Sequence, residues 1–274
     1  MEPPGYILDF DGTLTDIEKE TEFFQKNYPI IFFQRLGMNP EEKIKEFEEI
    51  KQDLIKSSKG FILGGFDVLP ISADPYIWVQ GASQEFLRKH NHQLEDETKF
   101  MIDLYSETIS KKPKEAIPFR EGNERTKKFL NRLLDSGKVA IVTNSKAEKI
   151  NNGLNELGER YAKEIIVCGD AKKLFIDKDF SEIHYSIKVL GSNREALLRR
   201  KNYFKILKNL QNQGFLPSKT EVIGNIYELD LSLPHYLGYG VIQIENGYSK
   251  EYERIFLQER FVKNYDELEK LIFK

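Results

Sequence analysis

The chain of 274 residues contains one cysteine, Cys168, so no internal disulfide can form and a disulfide-built scaffold is excluded. It has little net charge, −3 with 31% of its residues charged. A dedicated nucleic-acid binder carries a basic excess, so no nucleic-acid partner is expected. No apolar run approaches the roughly 20 residues that span a bilayer. Met1-Glu2-Pro3-Pro4 has neither the basic nor the apolar stretch of a secretory signal. The expectation is therefore no membrane partner and a cytoplasmic location. There is also no Gly-rich loop ending in Lys-Ser/Thr, which disfavours a P-loop nucleotidase. Apolar and aromatic residues, by contrast, are plentiful. Forty per cent of the residues are hydrophobic, with 19 Phe and 13 Tyr, which excludes wholesale disorder.

Those apolar residues fall into short runs that alternate with helical patterns. Tyr6-Ile7-Leu8, Val139-Ala140-Ile141-Val142, Ile165-Ile166-Val167-Cys168, Glu221-Val222-Ile223 and Val241-Ile242-Gln243-Ile244 each stop at a polar residue or glycine. Continuous apolar runs of this length fit strands covered on both faces, as in a parallel sheet. Between them, Phe129, Leu130, Leu133 and Leu134 form one helical stripe, and Tyr203, Phe204, Ile206, Leu207 and Leu210 another. This alternation predicts a doubly wound α/β sheet, in which ligands bind beyond the carboxyl ends of the strands. Residues 16–117 differ: they are rich in charge and helix formers. Ile44, Phe47, Ile50 and Leu54 recur at helical spacing, as do Phe86, Leu87 and Leu94, then Phe100, Met101 and Leu104. Gly60 to Phe66 is an apolar, glycine-punctuated stretch whose Gly64 and Gly65 are weak candidates for substrate contact. Pro113 and Pro118 bracket the return to the α/β pattern. The pattern is that of a helical insertion after the first strand.

The segment richest in chemistry is Ile7-Leu8-Asp9-Phe10-Asp11-Gly12-Thr13-Leu14-Thr15-Asp16. Two carboxylates two residues apart follow an apolar strand, and Gly12 allows the chain to turn after them. Both acids can then face one pocket. A carboxylate can attack phosphorus and form an aspartyl-phosphate, while a second carboxylic acid protonates the leaving oxygen and later deprotonates water.

Asp9 to Thr13 matches the Asp-x-Asp-Gly-Thr motif without departure, and the chain resembles the haloacid dehalogenase superfamily of phosphohydrolases. The resemblance implies a Rossmann-like core of residues 1–15 and 118–274, with residues 16–117 as a mainly helical cap. It implies Asp9 as nucleophile and Asp11 as general acid/base. Thr143, at the end of Val139-Ala140-Ile141-Val142, matches the second motif and would hydrogen-bond a phosphoryl oxygen. The third motif is a Lys or Arg that offsets the repulsion between nucleophile and phosphate. Here Arg200 and Lys173 are both candidates: chain position favours the first, residue type the second. The fourth motif supplies acidic metal ligands, and Gly224-Asn225-Ile226-Tyr227-Glu228-Leu229-Asp230 matches it with one departure, Asn225 for the usual Asp. The resemblance thus implies Mg²⁺ held by Asp9, Asp11 (through its main-chain carbonyl), Asn225 and Asp230, a small phosphorylated substrate, and phosphomonoester hydrolysis. The departure at Asn225 and the open choice of cation leave room for a weak or inactive member that binds a phospho-ligand or a protein. A sugar-phosphate mutase would share the Asp9/Asp11 chemistry. Neither the substrate nor the oligomeric state follows from these residues.

Overall fold

The computed structural model describes residues 3–57, 60, 62–63, 66–112, 118–190 and 192–273. The chain divides into two compact units, Met1–Ile17 with Ala116–Lys274, and Glu18–Glu115.

The first unit is built on a six-stranded sheet. Its strands are β1 (Gly5–Leu8), β2 (Lys138–Val142), β3 (Ile166–Cys168), β4 (Thr220–Gly224), β5 (Gly240–Ile244) and β6 (Phe261–Val262), in spatial order β6-β5-β4-β1-β2-β3. Every pairing is parallel. Burial on both faces explains the unbroken apolar runs. Tyr6, Leu8, Ile141, Ile223 and Ile242 pack in one cluster, while Ile7, Ala140, Val142, Val222 and Val241 pack in another. The five apolar runs in the sequence all form strands of this sheet; β6 is only two residues long and leaves no pattern to find.

Among the described residues the second unit holds four α-helices, α1 (Glu18–Arg35), α2 (Pro40–Lys56), α3 (Pro75–Lys89) and α4 (Glu97–Ser110). Asn39, Asp74 and Asp96 cap the last three by accepting from main-chain N–H groups of the first turn. Phe24, Phe32, Phe33, Phe47, Val79, Phe86 and Leu104 fill the core of this unit. Leu94 lies outside α3, which ends at Lys89. An antiparallel pair, Ile62–Leu63 with Phe66–Val68, accompanies the helices. Gly64, Gly65 and Pro113, singled out in the sequence, lie outside the described residues.

Helices α5 (Asn123–Ser136), α6 (Ala147–Leu157), α7 (Glu159–Glu164), α8 (Lys201–Asn212), α9 (Ser232–Tyr236), α10 (Glu251–Leu257) and α11 (Tyr265–Ile272) complete the first unit. Side chains of α5, α6 and α11 join the Leu8 cluster, and Tyr203, Leu207 and Leu210 of α8 join the Ile7 cluster. An antiparallel ribbon, Ser186–Lys188 with Glu195–Leu197, lengthens the connection from β3 to α8. No described helix is long and apolar enough to cross a membrane.

Strand β1 lies between β2 and β4: the chain runs from it outward through β2 and β3, then crosses to the other side of β1 for β4, β5 and β6. Such a reversal opens a crevice at the carboxyl ends of the neighbouring strands. Asp9, Thr143 and Asn225 each immediately follow one of the three central strands.

Candidate active site

Asp9 extends the pairing of β1 by one residue, its N–H donating to the Ile223 carbonyl at 2.8 Å. The chain then turns: the Phe10 carbonyl accepts from Leu14 N–H at 3.0 Å and Thr15 N–H at 3.1 Å. Gly12 sits in this turn with φ of 81°, and a Cβ there would lie 2.3 Å from the Asn225 side chain. Both the dihedral and the close approach require glycine.

Asp9 and Asp230 are buried and share one cation. Lys173 Nζ donates to Asp9 Oδ1 at 2.7 Å and to Asp230 Oδ1 at 2.9 Å, with only 1% of the lysine exposed. Burial pushes the Asp9 carboxyl up to about 8, with Asp230 and Asp11 adding to the rise while Lys173 opposes it. Burial would lower the Lys173 ammonium, but Asp230 and Asp9 outweigh it and hold the group above its ordinary range. This region is short of positive charge, with two acids on one lysine.

Asp11 faces other partners. Its Oδ2 accepts from Ser145 Oγ at 2.6 Å and from Thr143 Oγ1 at 3.5 Å, and its Oδ1 from Lys149 Nζ at 2.7 Å. Thr143 is buried and its Oγ1 also accepts from Ser145 N–H at 3.2 Å. Ser145 and Lys149 were not singled out in the sequence. A signal existed for the lysine: it stands in the first turn of α6, where the helix dipole disfavours a cation unless an anion faces it.

The two candidate cations are placed differently. Lys173 follows a tight turn stitched to the end of β2: Asp170 N–H donates to the Ser145 carbonyl at 3.0 Å, Ala171 N–H to the Thr143 carbonyl at 2.9 Å, and Lys173 N–H to Asn144 Oδ1 at 2.7 Å. Asp170 and Lys172 adopt positive φ, 50° and 53°. These strained residues are held by the hydrogen bonds around them. Arg200 is fully buried and does not face Asp9. Its Nη1 donates to the Glu228 and Leu229 carbonyls at 3.0 and 2.6 Å, and its Nη2 to Ser232 Oγ at 2.7 Å. Burial lowers this guanidinium to about 10. Those carbonyls belong to a π-helical turn, Tyr227–Leu231, that carries Asp230. Such turns leave main-chain groups in need of partners and recur at functional sites. The basic position beside Asp9 is therefore filled by Lys173, and Arg200 braces the segment that presents Asp230.

Asn225 is buried between Asp11, Asp230 and Asn246. The two ends of an amide are told apart by their partners. Asn246 Oδ1 accepts from Tyr248 N–H at 2.8 Å, so its Nδ2 is the end that faces Asn225. Asn225 must meet that donor with Oδ1, at 2.7 Å, which turns its own Nδ2 toward the Asp11 carbonyl and Asp230 Oδ2, both at 3.2 Å. Asp230 Oδ2 also accepts from Ile226 N–H at 3.1 Å.

The family model for haloacid dehalogenase-like hydrolases matches residues 4–231. This chain belongs to that family. No curated protein matches it in sequence. Among solved structures it is similar to a protein of Haemophilus somnus 129PT assigned as a phosphoglycolate phosphatase (12% identity, 99% of this chain and 98% of that one, TM-score 0.52). It is also similar to one of Clostridium acetobutylicum assigned as a phosphatase (14%, 100% and 99%, 0.52), and to one of Bacteroides vulgatus assigned as a β-phosphoglucomutase (14%, 100% and 91%, 0.50). At these identities the likeness is one of fold.

Hydrolases of this family generally use Mg²⁺, and the donor chemistry of the site bears on that. Among the described residues no three His, Cys, Asp or Glu side chains gather as a metal cluster. What converges instead is the carboxylates of Asp9 and Asp230, the Asp11 main-chain carbonyl and the Asn225 amide. These are hard oxygen donors of the kind Mg²⁺ takes, and the two carboxyl groups among them share a single lysine. The residues fit a hard divalent cation, with Asn225 able to join through Oδ1 once its amide rotates.

Proposed function

We propose that this hydrolase cleaves phosphomonoesters of a small substrate through an aspartyl-phosphate on Asp9. The observation that carries the reading is the buried Asp9, placed at the switch point and held at 2.7 Å by Lys173, with a second acid, Asp11, two residues on. In the first step an Asp9 oxygen forms a bond to phosphorus, the bond to the leaving oxygen breaks, and Asp11 gives that oxygen a proton. In the second, Asp11 takes a proton from water as the water attacks phosphorus, and Asp9 leaves as carboxylate. Thr143 would hydrogen-bond a phosphoryl oxygen. Lys173 would offset the repulsion between Asp9 and the incoming anion. Asp9, the Asp11 carbonyl, Asp230 and Asn225 would hold Mg²⁺, which when bound neutralises phosphoryl charge. Glu18–Glu115, inserted directly after the first motif, is proposed as the substrate-selecting cap, on chain order alone.

The test is release of inorganic phosphate from an aryl phosphate, with and without Mg²⁺, by the parent and by Asp9→Asn. The reading requires turnover by the parent and none by the variant, with an unchanged circular dichroism spectrum. Equal turnover by both would refute it. Asn225 favours a second reading, a member that binds a phospho-ligand without hydrolysing it; binding of inorganic phosphate by a parent that shows no turnover would select that reading.

A further inference from the structure

The family's fourth motif usually carries Asp where this chain has Asn225. The hydrogen bonds around Asn225 make the change more than the loss of a charge. Tyr248 N–H fixes Asn246, Asn246 fixes the Asn225 amide, and the amide N–H groups then point at two of the oxygens proposed to hold the cation. Ser249 Oγ donates to the same Asn246 Oδ1 at 3.2 Å, and Asn246 N–H donates to Ser249 Oγ at 3.0 Å, so the orienting side chain is itself held from two sides. Gln243 Nε2 donates to the Asn225 carbonyl at 3.1 Å and anchors the main chain from below.

We propose that Asn225 and Asn246 form an amide clamp that stands in for the divalent cation when none is bound. Resting on the cation role proposed above, the clamp controls occupancy of that site. The Asn225 amide donates to both the Asp11 carbonyl and Asp230 Oδ2, two of the oxygens that the cation would otherwise draw together. The site is thereby organised before a cation arrives. A cation entering must turn the amide so that Oδ1 faces it, and that rotation breaks the bonds to Asp11 and Asp230 and sets Nδ2 against the Asn246 donor. The clamp therefore weakens cation binding beyond the missing charge, and Asn246, which lies outside the donor set, controls how much.

The experiment is calorimetric titration of the full chain with Mg²⁺ alone, together with thermal melting and side-chain amide NMR in chelator. Asn225→Asp should bind Mg²⁺ about tenfold or more tightly than the parent, and it should melt lower than the parent in chelator because three acceptors then crowd together. Asn246→Ala releases the clamp without adding charge and should also tighten Mg²⁺, by several-fold. The Asn225 Nδ2 signals, assigned by their loss in Asn225→Asp, should exchange slowly with water in the metal-free parent and quickly in Asn246→Ala. Unchanged or weaker Mg²⁺ binding by a folded Asn246→Ala would overturn the clamp. So would identical chelator melting of the parent and Asn225→Asp. No arm uses turnover, so a chain that obeys these results yet releases no phosphate refutes the hydrolase reading alone. If no variant binds Mg²⁺, the clamp and the cation role fall together, whatever the turnover.

Discussion

Replacing Lys173 by Met removes the cation that contacts both Asp9 and Asp230, at 2.7 and 2.9 Å, and leaves an apolar side chain of similar length. Two carboxylates then remain buried without their partner. Breaking a buried ion pair by deleting one member costs about 3–5 kcal/mol. At about 2–4 °C per kcal/mol for a domain of this size, the core unit should melt roughly 6–20 °C lower. The measurement is calorimetric melting with urea unfolding at pH 7, in chelator so that no metal replaces the lysine. The double variant Lys173→Met/Asp9→Asn should recover part of the loss, with a coupling of about 1–3 kcal/mol, because one of the two buried acids that lost its partner is gone. Alkali should widen the gap. Lys173 opposes the rise of the Asp9 carboxyl, so without it Asp9 is pushed still higher; parent and variant both hold Asp9 protonated below about pH 8, and the gap grows as pH rises through that value and only the parent releases the proton. A Lys173→Met protein within about 1 kcal/mol of the parent, or a double variant no more stable than the single, would refute the shared-lysine account.

In the parent, Asp9 lies at about 8 when folded against 3.8 unfolded. The folded chain therefore holds more protons in that interval, and the Asp9 contribution to stability is full below about pH 4 and lost as pH rises toward 8; melting of Asp9→Asn in chelator should lack this slope. Arg200→Lys cannot reach two carbonyls and the Ser232 hydroxyl at once, so it should lose about 1–3 kcal/mol and lower kcat more than it raises KM, by loosening the Asp230 turn. Equal kinetics in a folded Arg200→Lys protein would show that the brace is not needed. Asn144→Ala removes the acceptor of the Lys173 N–H and should lower kcat with the secondary structure intact, while Asn144→Asp, which keeps an acceptor, should restore much of it; failure of that rescue would separate Asn144 from the positioning of Lys173.

The strands were legible because they are buried on both faces: Ile7 and Leu8 belong to different clusters, so each needs an apolar side chain and the run is unbroken. The turn at Asp9 to Thr15 was legible because one φ and one contact leave only glycine at position 12. The ribbon at residues 186–197 and the sixth strand were not, since pairs of two or three residues leave no periodicity. Choosing the cation failed for a spatial reason. Arg200 stands before the helix where chain order places the third-motif base, yet its guanidinium is drawn to carbonyls freed by a π turn 28 residues on. Lys173 stands well ahead of that helix, and what brings it to Asp9 is a turn of two positive-φ residues, which no residue type in Asp170-Ala171-Lys172 announces.

Asn225 also bears on the balance of local charge. Asp9, Asp11 and Asp230 meet Lys173 and Lys149, and with burial holding the Asp9 carboxyl up to about 8 the set is close to balanced at pH 7 before any ligand arrives. Aspartate at position 225 would add a negative charge at about 3 Å from Asp230, where like charges in a dry site repel strongly. With a neutral amide, the site is less dependent on a cation to hold its acids together and less repulsive toward an incoming phosphate. The cost falls on cation affinity. Since the whole chain carries only −3, no long-range field offsets this, and the choice of Asn over Asp acts within hydrogen-bonding distance of Asp11 and Asp230.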